Sequence, residues 1–277
     1  MTPTQYCQDK AARSGSSFYY SFLFLPRDKR EAITALYAFC REVDDCVDEC
    51  RETEVARAKL AWWRTELDRL YSGVPQHPVT RALAPVVARH DLPREQLEEI
   101  VDGMEMDLTF NRYPDFRTLE LYCYRVASVV GQLAATLFGH SDRRTLRYAH
   151  DLGLAFQLTN IIRDVGEDAR RNRIYLPLED LHRFGVREED ILAGRYTAAF
   201  RELMAFQVER ARATYARAFA QLPAADRRNQ RPGLIMAAIY QALLTEIERD
   251  GFRVLDRRTA LTPLRKFWIA WKTWVSP

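Results

Sequence analysis

Two segments of the chain each place aspartates four positions apart within a helical pattern, and no other feature constrains the fold so strongly. In the later segment, which extends from Gln157 to Asp168, residues three or four positions apart share one helix face. That face carries Gln157, Asn160, Asp164 and Asp168. Burying such groups is costly unless a partner compensates them, and a hard cation such as Mg²⁺, which also binds phosphate, suits their oxygens. One stripe alone could equally be a solvated helix face.

The earlier segment repeats this arrangement and favours the functional interpretation. Its helical face carries Tyr37, Arg41, Asp44 and Asp48. An arginine accompanies each aspartate pair, Arg41 in the first stripe and Arg163 in the second. Two such helices facing each other would enclose a cavity with acidic walls, able to hold several Mg²⁺ ions and a diphosphate. The residues predicted to bind the metal are Asp44, Asp48, Asn160, Asp164 and Asp168.

The remaining sequence predicts an all-α protein. Apolar residues recur at helical spacing, and no alternating strand or hairpin pattern occurs. The predicted helices include 27–50, 54–72, 79–90, 116–138, 142–168 and 197–221. Apolar residues make up 47% of the chain, which is ample for a core, and no shift in composition marks a boundary. We therefore expect residues 1–277 to form a single domain.

Composition and short motifs argue against several classes of protein. The net charge of +3 is too small to indicate nucleic-acid binding, and no basic stripe is interleaved with aromatic residues. Five cysteines without zinc-ligand spacing fit a reducing compartment, so a cytoplasmic location is expected. No signal peptide and no uninterrupted apolar stretch of about 18 residues is found, so no membrane-spanning segment is expected.

Three motifs resemble those of the squalene/phytoene synthase family, the head-to-head prenyl synthases. They occupy residues 37–48, 122–131 and 160–168, and the segment 14–22 fits as well. The resemblance covers about residues 5 to 265 and is strongest to the branch that makes presqualene diphosphate for hopanoids. It implies a class I isoprenoid synthase fold, a helical bundle around a central cavity, with Mg²⁺ as cofactor.

The resemblance also assigns roles to individual residues. The residues themselves add aromatic faces at Phe18, Tyr37 and Tyr124, which would stabilise a carbocation, although ordinary core packing explains Phe18 equally well. Arg173 lies in a cation-rich loop that either closes over diphosphate or is simply solvated. The acidic residues Asp102, Glu105 and Asp107 form no matched partner to the two stripes. The complete set expected to bind substrate is Ser14, Ser17, Phe18, Arg41, Gln157, Asn160, Arg163, Arg173, Tyr240 and Arg257.

The reaction implied by the resemblance joins two farnesyl diphosphate molecules to give presqualene diphosphate. Arg125 stands where squalene-forming relatives usually have tyrosine, and a cation there would disfavour a second carbocation by repulsion. Ser128 stands where the family commonly has glycine. The alternatives are a complete squalene synthase using NADPH, a phytoene or dehydrosqualene synthase, a chain-elongating synthase or terpene cyclase, and a non-catalytic assembly factor. The intact aspartates argue against the last.

The C-terminal segment 249–277 combines seven basic residues with two acidic ones, and its aromatic residues recur at near-helical spacing. Residues 264–277 are therefore expected either to rest on the inner face of an anionic membrane or to pack their tryptophans on the core. The first interpretation predicts a peripheral membrane contact. A downstream squalene-forming enzyme is a further expected partner, since the predicted product still carries a diphosphate.

Overall fold

The computed structural model describes residues 1–13, 21–22, 24–50 and 52–275. These residues form helices joined by short loops, which confirms the all-α prediction. Within the described residues, the helices begin in chain order with α1 Pro3–Arg13, α2 Arg27–Asp48, α3 Thr53–Tyr71, α4 Pro78–His90, α5 Arg94–Thr109, α6 Phe116–Cys123 and α7 Val129–Phe138. The others are α8 Arg144–Arg170, α9 Leu178–Phe184, α10 Glu188–Leu192, α11 Ala198–Gln221, α12 Arg231–Arg249 and α13 Pro263–Val275.

The predicted helix 116–138 is present but is not a regular α-helix throughout. Asp115 caps its start by accepting a hydrogen bond from the Thr118 backbone N–H at 2.7 Å, and Gly139, with φ of 88°, ends it. Between α6 and α7, residues Tyr124–Ser128 form a single π-helical turn, here called the π segment. Such a turn often marks a functional site because it re-aims the side chains that follow it.

Two apolar clusters form the core and meet along α7. The N-terminal cluster packs α2 against α3, α4 and α5, with the rings of Phe39 and Trp63 5.5 Å apart. The C-terminal cluster packs α8 against α11 and α12. Leu133 of α7 belongs to the first cluster and Ala135 to the second. The stripe-bearing helices α2 and α8 thus belong to different clusters, and α7 lies between them.

Helices α7 and α8 approach each other closely at two glycines. A Cβ atom on Gly131 would lie 2.5 Å from the carbonyl oxygen of Ala149, and one on Gly153 would lie 2.5 Å from that of Ala127. Only glycine permits such contacts. The crossed pairing, 131 with 149 and 127 with 153, shows that the helices run antiparallel. Ser128 is accommodated because its hydroxyl donates to the carbonyl of His150 at 2.8 Å.

A buried carboxylate anchors the start of α8. Asp226 accepts hydrogen bonds from the Ser141 backbone N–H at 2.8 Å and from the Thr145 hydroxyl at 2.6 Å. Burial opposes its ionisation, but these bonds prevail and hold the pKa of Asp226 well below its usual range. The turn between α11 and α12 is therefore fixed against the end of α8 that lies farthest from the aspartates.

One helical run, Phe116–Phe138, is long and apolar enough by composition to cross a membrane, with a mean hydropathy of 1.2. The helix itself was predicted from the sequence, but a candidate membrane span was not. It nevertheless packs along α8 and contributes Leu119, Tyr122 and Leu133 to the buried clusters. Its position is that of a core helix of the bundle.

Candidate active site

The two aspartate stripes line one cavity of about 390 Å³. Asp44 and Asp48 come from the last turns of α2, and Asp164 and Asp168 come from the last turns of α8. Both helices expose these residues at their C-terminal ends, where the helix dipole adds partial negative charge. The acidic mouth, as we call this cavity with its four aspartates, therefore has a strong demand for positive charge.

Arginines supply part of that charge. On α2, Arg41 donates to Asp44 and, at 2.8 Å, to Asp45. On α8, Arg163 donates to Asp164 at 2.7 Å. Two further arginines, from the loop that follows α8, reach across to Asp48, with N–O distances of 3.3 Å and 3.6 Å from Arg171 and Arg173. The predicted cation-rich loop thus lies over the acidic mouth.

The aspartates differ in how readily they ionise. Burial raises the pKa of Asp44 to about 7, even though Arg41 opposes the shift. Burial, reinforced by the charge of Asp164, also raises the pKa of Asp168 to about 7. Burial would raise the pKa of Asp164 too, but hydrogen bonds from Arg163 and Arg258 hold it below its usual value. Two of the four carboxylates therefore lack sufficient positive charge.

The donor set fits a divalent metal. Four carboxylates and an amide oxygen suit Mg²⁺, and a cation would relieve the repulsion that raises the pKa of Asp168. Among the described residues, no three Asp, Glu, His or Cys side chains lie close enough to hold one ion unaided. Each stripe instead offers a pair, and Mg²⁺ commonly completes its shell with water and substrate phosphate.

Asn160 is held by its neighbours on the floor of the acidic mouth. Its amide N–H donates to Gln157 Oε1 at 3.2 Å, and the Tyr240 hydroxyl donates to Asn160 Oδ1 at 3.1 Å. Gln157 and Asn160 line the cavity, as expected. Tyr240 is buried and does not line the cavity, so it contacts Asn160 and not the cavity itself.

The C-terminal arginine at the acidic mouth is Arg258, not Arg257. Arg257 pairs with Asp250 and lies outside the cavity lining. Arg258 Nε lies 2.8 Å from Asp164 Oδ1. The loop reaches this position because it crosses α8 at Gly166, whose backbone N–H donates to the carbonyl of Val254 at 3.1 Å. Spacing along the sequence could not distinguish the adjacent arginines, since the choice depends on this crossing.

An acidic residue that the sequence did not connect to the two stripes also lines the acidic mouth. Asp107 accepts hydrogen bonds from the Tyr175 hydroxyl at 2.7 Å and from the Tyr122 hydroxyl at 3.0 Å. Burial raises its pKa to about 6. The signal in the sequence was spacing: Ile100, Met104 and Asp107 share one face of α5, and all three line the cavity.

Two expected residues of the motif 122–131 lie elsewhere. Tyr124 packs near the ring of His150, with centroids 5.8 Å apart, and lines neither the acidic mouth nor the apolar cavity described next; Tyr122 takes the expected place at the mouth. Arg125 donates to Glu99 at 2.9 Å and also lies outside both linings. Paired with Glu99 and outside both cavities, Arg125 is not placed to repel a carbocation that forms in either of them.

An apolar cavity of about 200 Å³ continues from the acidic mouth, and we call it the prenyl cavity. The two cavities share wall residues, namely Cys40, Val126, Gln157 and Asn160. Tyr37 lies on its wall, as expected of an aromatic residue facing a carbocation. Phe138 and Tyr148 line the end farthest from the aspartates. The remaining predicted substrate residues, Ser14, Ser17 and Phe18, lie outside the described residues.

Comparisons with known proteins agree with this architecture. The chain is 36% identical over 273 residues to a phytoene synthase of Arthrospira platensis, covering 94% of this chain and 88% of the relative. It is 41% identical over 239 residues to a presqualene diphosphate synthase of Rhodopseudomonas palustris, covering 86% and 85%. A crystal structure of a dehydrosqualene synthase in complex with ligand superposes with a TM-score of 0.86 at 28% identity, covering 98% of this chain and 95% of the other.

The family-level match extends over nearly the whole chain. A family model described as squalene/phytoene synthase matches residues 11–265, which include both stripes, the motif 122–131 and the loop carrying Arg258. The relatives are enzymes that condense prenyl diphosphates head to head. The all-α fold, the acidic mouth and the match together show that this chain belongs to the squalene/phytoene synthase family of prenyltransferases.

Proposed function

We propose that this enzyme condenses two farnesyl diphosphate molecules to presqualene diphosphate. The observation that carries the reaction class is the continuity of the acidic mouth with the prenyl cavity, through the wall residues shared by both. A diphosphate head and an apolar tail would each find a matching environment. The branch is supported by the 41% identity to a presqualene diphosphate synthase, against 36% for a phytoene synthase.

The residues of the mouth would hold the diphosphate and assist its departure. Arginine guanidinium groups match phosphate oxygens in geometry and charge, and Arg163, Arg173 and Arg258 all line the cavity. When bound, Mg²⁺ on the four aspartates and Asn160 would supply electrostatic stabilisation of the leaving diphosphate. Among protein groups the preorganised arginines make the same kind of contribution.

The later steps need a dry cavity and a proton acceptor. C1 of the ionised molecule bonds to the 2,3-double bond of the other, and loss of a proton closes the cyclopropane. The apolar walls of the prenyl cavity exclude water from the cation. Asp107 is a suitable acceptor, either directly or through Tyr122 or Tyr175, because its pKa of about 6 lies near neutrality.

The product assay tests this proposal directly. Purified protein with Mg²⁺ is incubated with geranyl, farnesyl or geranylgeranyl diphosphate, with and without NADPH, and both diphosphates and hydrocarbons are extracted. We expect presqualene diphosphate from the farnesyl substrate and no change when NADPH is added. Squalene as the main product with NADPH would identify a complete squalene synthase instead.

Phytoene synthesis is the second candidate function. It is favoured by the match to a phytoene synthase over 94% of this chain, a longer alignment than that with the presqualene relative. The same assay separates the two, since phytoene synthesis requires the geranylgeranyl substrate. A preference for that substrate, with a hydrocarbon product and no need for NADPH, would establish this branch.

We also propose that α13 rests on a membrane from the cytoplasmic side. Leu264, Phe267, Trp268, Trp271 and Val275 are exposed on one side of this helix, here called the outer face of α13. Ala270 is buried on the opposite side, and Trp274 stacks on Phe24 with centroids 5.2 Å apart. Both expectations for the segment thus have structural support, one on each side of the helix. A membrane would deliver the apolar substrate and accept a product for a downstream squalene-forming enzyme.

The membrane contact can be tested with exposed residues alone. The double variant Trp268→Ser, Trp271→Ser should lose binding to anionic vesicles in co-sedimentation. The matched control replaces two equally exposed leucines elsewhere, Leu121→Ser and Leu192→Ser. Binding that falls equally in both variants, or not at all, would contradict a role for the outer face of α13.

A further inference from the structure

A second large cavity lies outside the active site, where α12 begins. Its volume is about 490 Å³, and it is bounded by the end of α11, the turn before α12, the first turns of α12, and Thr273 of α13. Three arginines line it: Arg227, Arg228 and Arg231. Its apolar wall is formed by Phe219, Leu234 and Ala238. We call it the arginine groove.

The charge of the arginine groove is uncompensated. No aspartate or glutamate among the described residues lines it. Within the described ranges, none of its three guanidinium groups lies within ion-pair distance of a carboxylate, whereas Arg41, Arg163, Arg173 and Arg258 of the acidic mouth all do. Arg231 lies over the ring of Trp274, 5.3 Å from its centroid. Three like charges gathered without a counter-ion repel each other, and an anion would relieve that repulsion.

The shape and position of the groove indicate the class of anion. Guanidinium forks match phosphate oxygens, while an apolar wall suits a hydrocarbon chain. The groove therefore fits an amphiphile with a phosphate head. It adjoins the C-terminal end of α13 through Thr273, which lies on the same side of the helix as the buried Ala270. The outer face of the same helix exposes Trp268 by 59% and Leu264 by 84%. Apolar surface of this extent, next to basic residues, is typical of helices at anionic membranes.

We propose that the arginine groove binds the phosphate headgroup of an anionic phospholipid. This inference deepens the membrane contact proposed above and rests on it. The groove would add specificity for charge to a contact that the outer face of α13 makes through hydrophobic burial. The turn that carries Arg227 and Arg228 is held by Asp226 on the N-terminal end of α8, so the site is preformed.

The test compares two variants of equal charge. The groove variant is Arg227→Gln, Arg228→Gln, Arg231→Gln. The control variant replaces three exposed arginines remote from the groove and without a carboxylate partner among the described residues: Arg81→Gln, Arg117→Gln and Arg201→Gln. Each protein is sedimented with vesicles of phosphatidylcholine alone, or of equal parts phosphatidylcholine and phosphatidylglycerol. Turnover of farnesyl diphosphate in neutral detergent serves as the folding control.

We expect the groove variant to lose roughly tenfold or more in partition onto phosphatidylglycerol vesicles, on the scale set by a few basic residues at an anionic surface. The control variant should lose severalfold at most, and detergent turnover should be unchanged in both. An equal loss in both variants would overturn the groove as a site, since long-range charge would then suffice. Competition by glycerol phosphate at concentrations far below those of the lipid would show that a soluble phosphate is the ligand and would also overturn the proposal.

The two membrane proposals fail in distinguishable ways. If the wild-type protein binds neither kind of vesicle, both proposals fail. If the Trp268→Ser, Trp271→Ser variant loses binding while the groove variant matches its control, only the groove fails. Sedimentation equilibrium without lipid tests whether a second copy of the chain binds this surface instead of a membrane. A dimer that the tryptophan substitutions dissociate would assign the outer face of α13 to a second copy of the chain and contradict the membrane contact.

Discussion

The two aspartate stripes look alike in the sequence but differ in the folded protein. On α8, Asp164 is held by two arginines, Arg163 and Arg258, and its pKa falls. On α2, the one ion-pair partner of Asp44 among the described residues is Arg41, and burial raises the pKa of Asp44 to about 7. The difference arises from loops that are distant in sequence, because Arg258 comes from the segment after α12. The spacing of aspartates in the sequence therefore indicates which side-chain oxygens can bind a metal. Tertiary contacts decide which of these carboxyl groups are ionised when no metal is bound.

Neutralising one aspartate in each stripe gives the largest expected effect. Asp48→Asn and Asp164→Asn should each lower turnover of farnesyl diphosphate by roughly a hundredfold or more, the scale of losing one electrostatic stabiliser. Stability should separate them. Asp164→Asn leaves Arg163, which is largely buried, without its carboxylate, whereas Arg258 retains Glu167 at 3.4 Å. The substitution should lower Tm, because removing one member of a buried ion pair is destabilising. Asp48→Asn should leave Tm nearly unchanged, since Arg171 and Arg173 are only loosely paired with it.

Steady-state rates and thermal unfolding check this pair, with Asp9→Asn on the exposed side of α1 as the charge control. Near-normal turnover in either variant would refute the metal-binding assignment of that stripe. Equal changes in Tm would remove the proposed difference between the stripes.

Substitution of Gly166 has the next largest expected effect. This glycine lets the C-terminal loop cross α8 and reach the stripe on α8, but not the one on α2. A Cβ atom at this position would lie 2.3 Å from the carbonyl oxygen of Leu255 and 2.5 Å from that of Val254. Gly166→Ala should therefore displace the loop, with a stability cost of roughly 1–3 kcal/mol for overpacking. It should also reduce kcat/KM, because Arg258 moves with the loop.

The control for this substitution is Gly73→Ala, which adds a methyl group in open space. A Cβ atom on Gly73 would have no heavy atom of another part of the chain within 4 Å, although the φ of 80° at this position carries strain of its own. Thermal unfolding and steady-state kinetics are measured for both variants. Full activity in Gly166→Ala would show that the crossing does not position Arg258.

Much of the fold, and the core of the site, could be predicted from the sequence. Helical spacing indicated the all-α architecture and brought Asp44, Asp48, Asp164 and Asp168 to one cavity. Helical spacing could not in every case predict which residues outside the two stripes line the cavity. Tyr122, not Tyr124, lines the acidic mouth. Helical spacing could have predicted this, because Tyr122 lies four residues before Val126, which is also on the cavity wall. Arg258 could not have been chosen over Arg257, since the choice depends on a loop crossing at Gly166.

The adjacent arginines offer a matched pair for a more moderate effect. Arg258→Gln removes a cation from the acidic mouth and should lower kcat/KM by roughly tenfold, since one hydrogen bond to a charged group is worth about 1.5 kcal/mol or more. Arg257→Gln, one residue away and paired with Asp250 outside the cavity, should change kcat/KM less than twofold. Both variants are compared over a range of substrate concentrations. A larger loss in Arg257→Gln would restore the assignment made from sequence and contradict the structure.

The smallest expected effect is a pH dependence of stability in the metal-free protein, caused by Asp44 and Asp168. Below about pH 3 both carboxyl groups are largely protonated in the folded and the unfolded chain, so they contribute nothing. As pH rises from there to about 7, the unfolded chain ionises while the folded chain retains these protons. Stability therefore falls across this window and then levels off.

Asp168→Asn removes one of the two groups, so the Tm of this variant should exceed that of the wild type above pH 7 by about 2–4 °C, for roughly 1 kcal/mol after solvent screening. The two proteins should unfold alike near pH 3, and Mg²⁺ with diphosphate should reverse their order at pH 8, because only the wild type keeps the full set of ligands. A variant that is less stable than the wild type at pH 8 without metal would show that Asp168 is held by compensating charge, as Asp164 is, and that the two stripes differ more than their environments indicate.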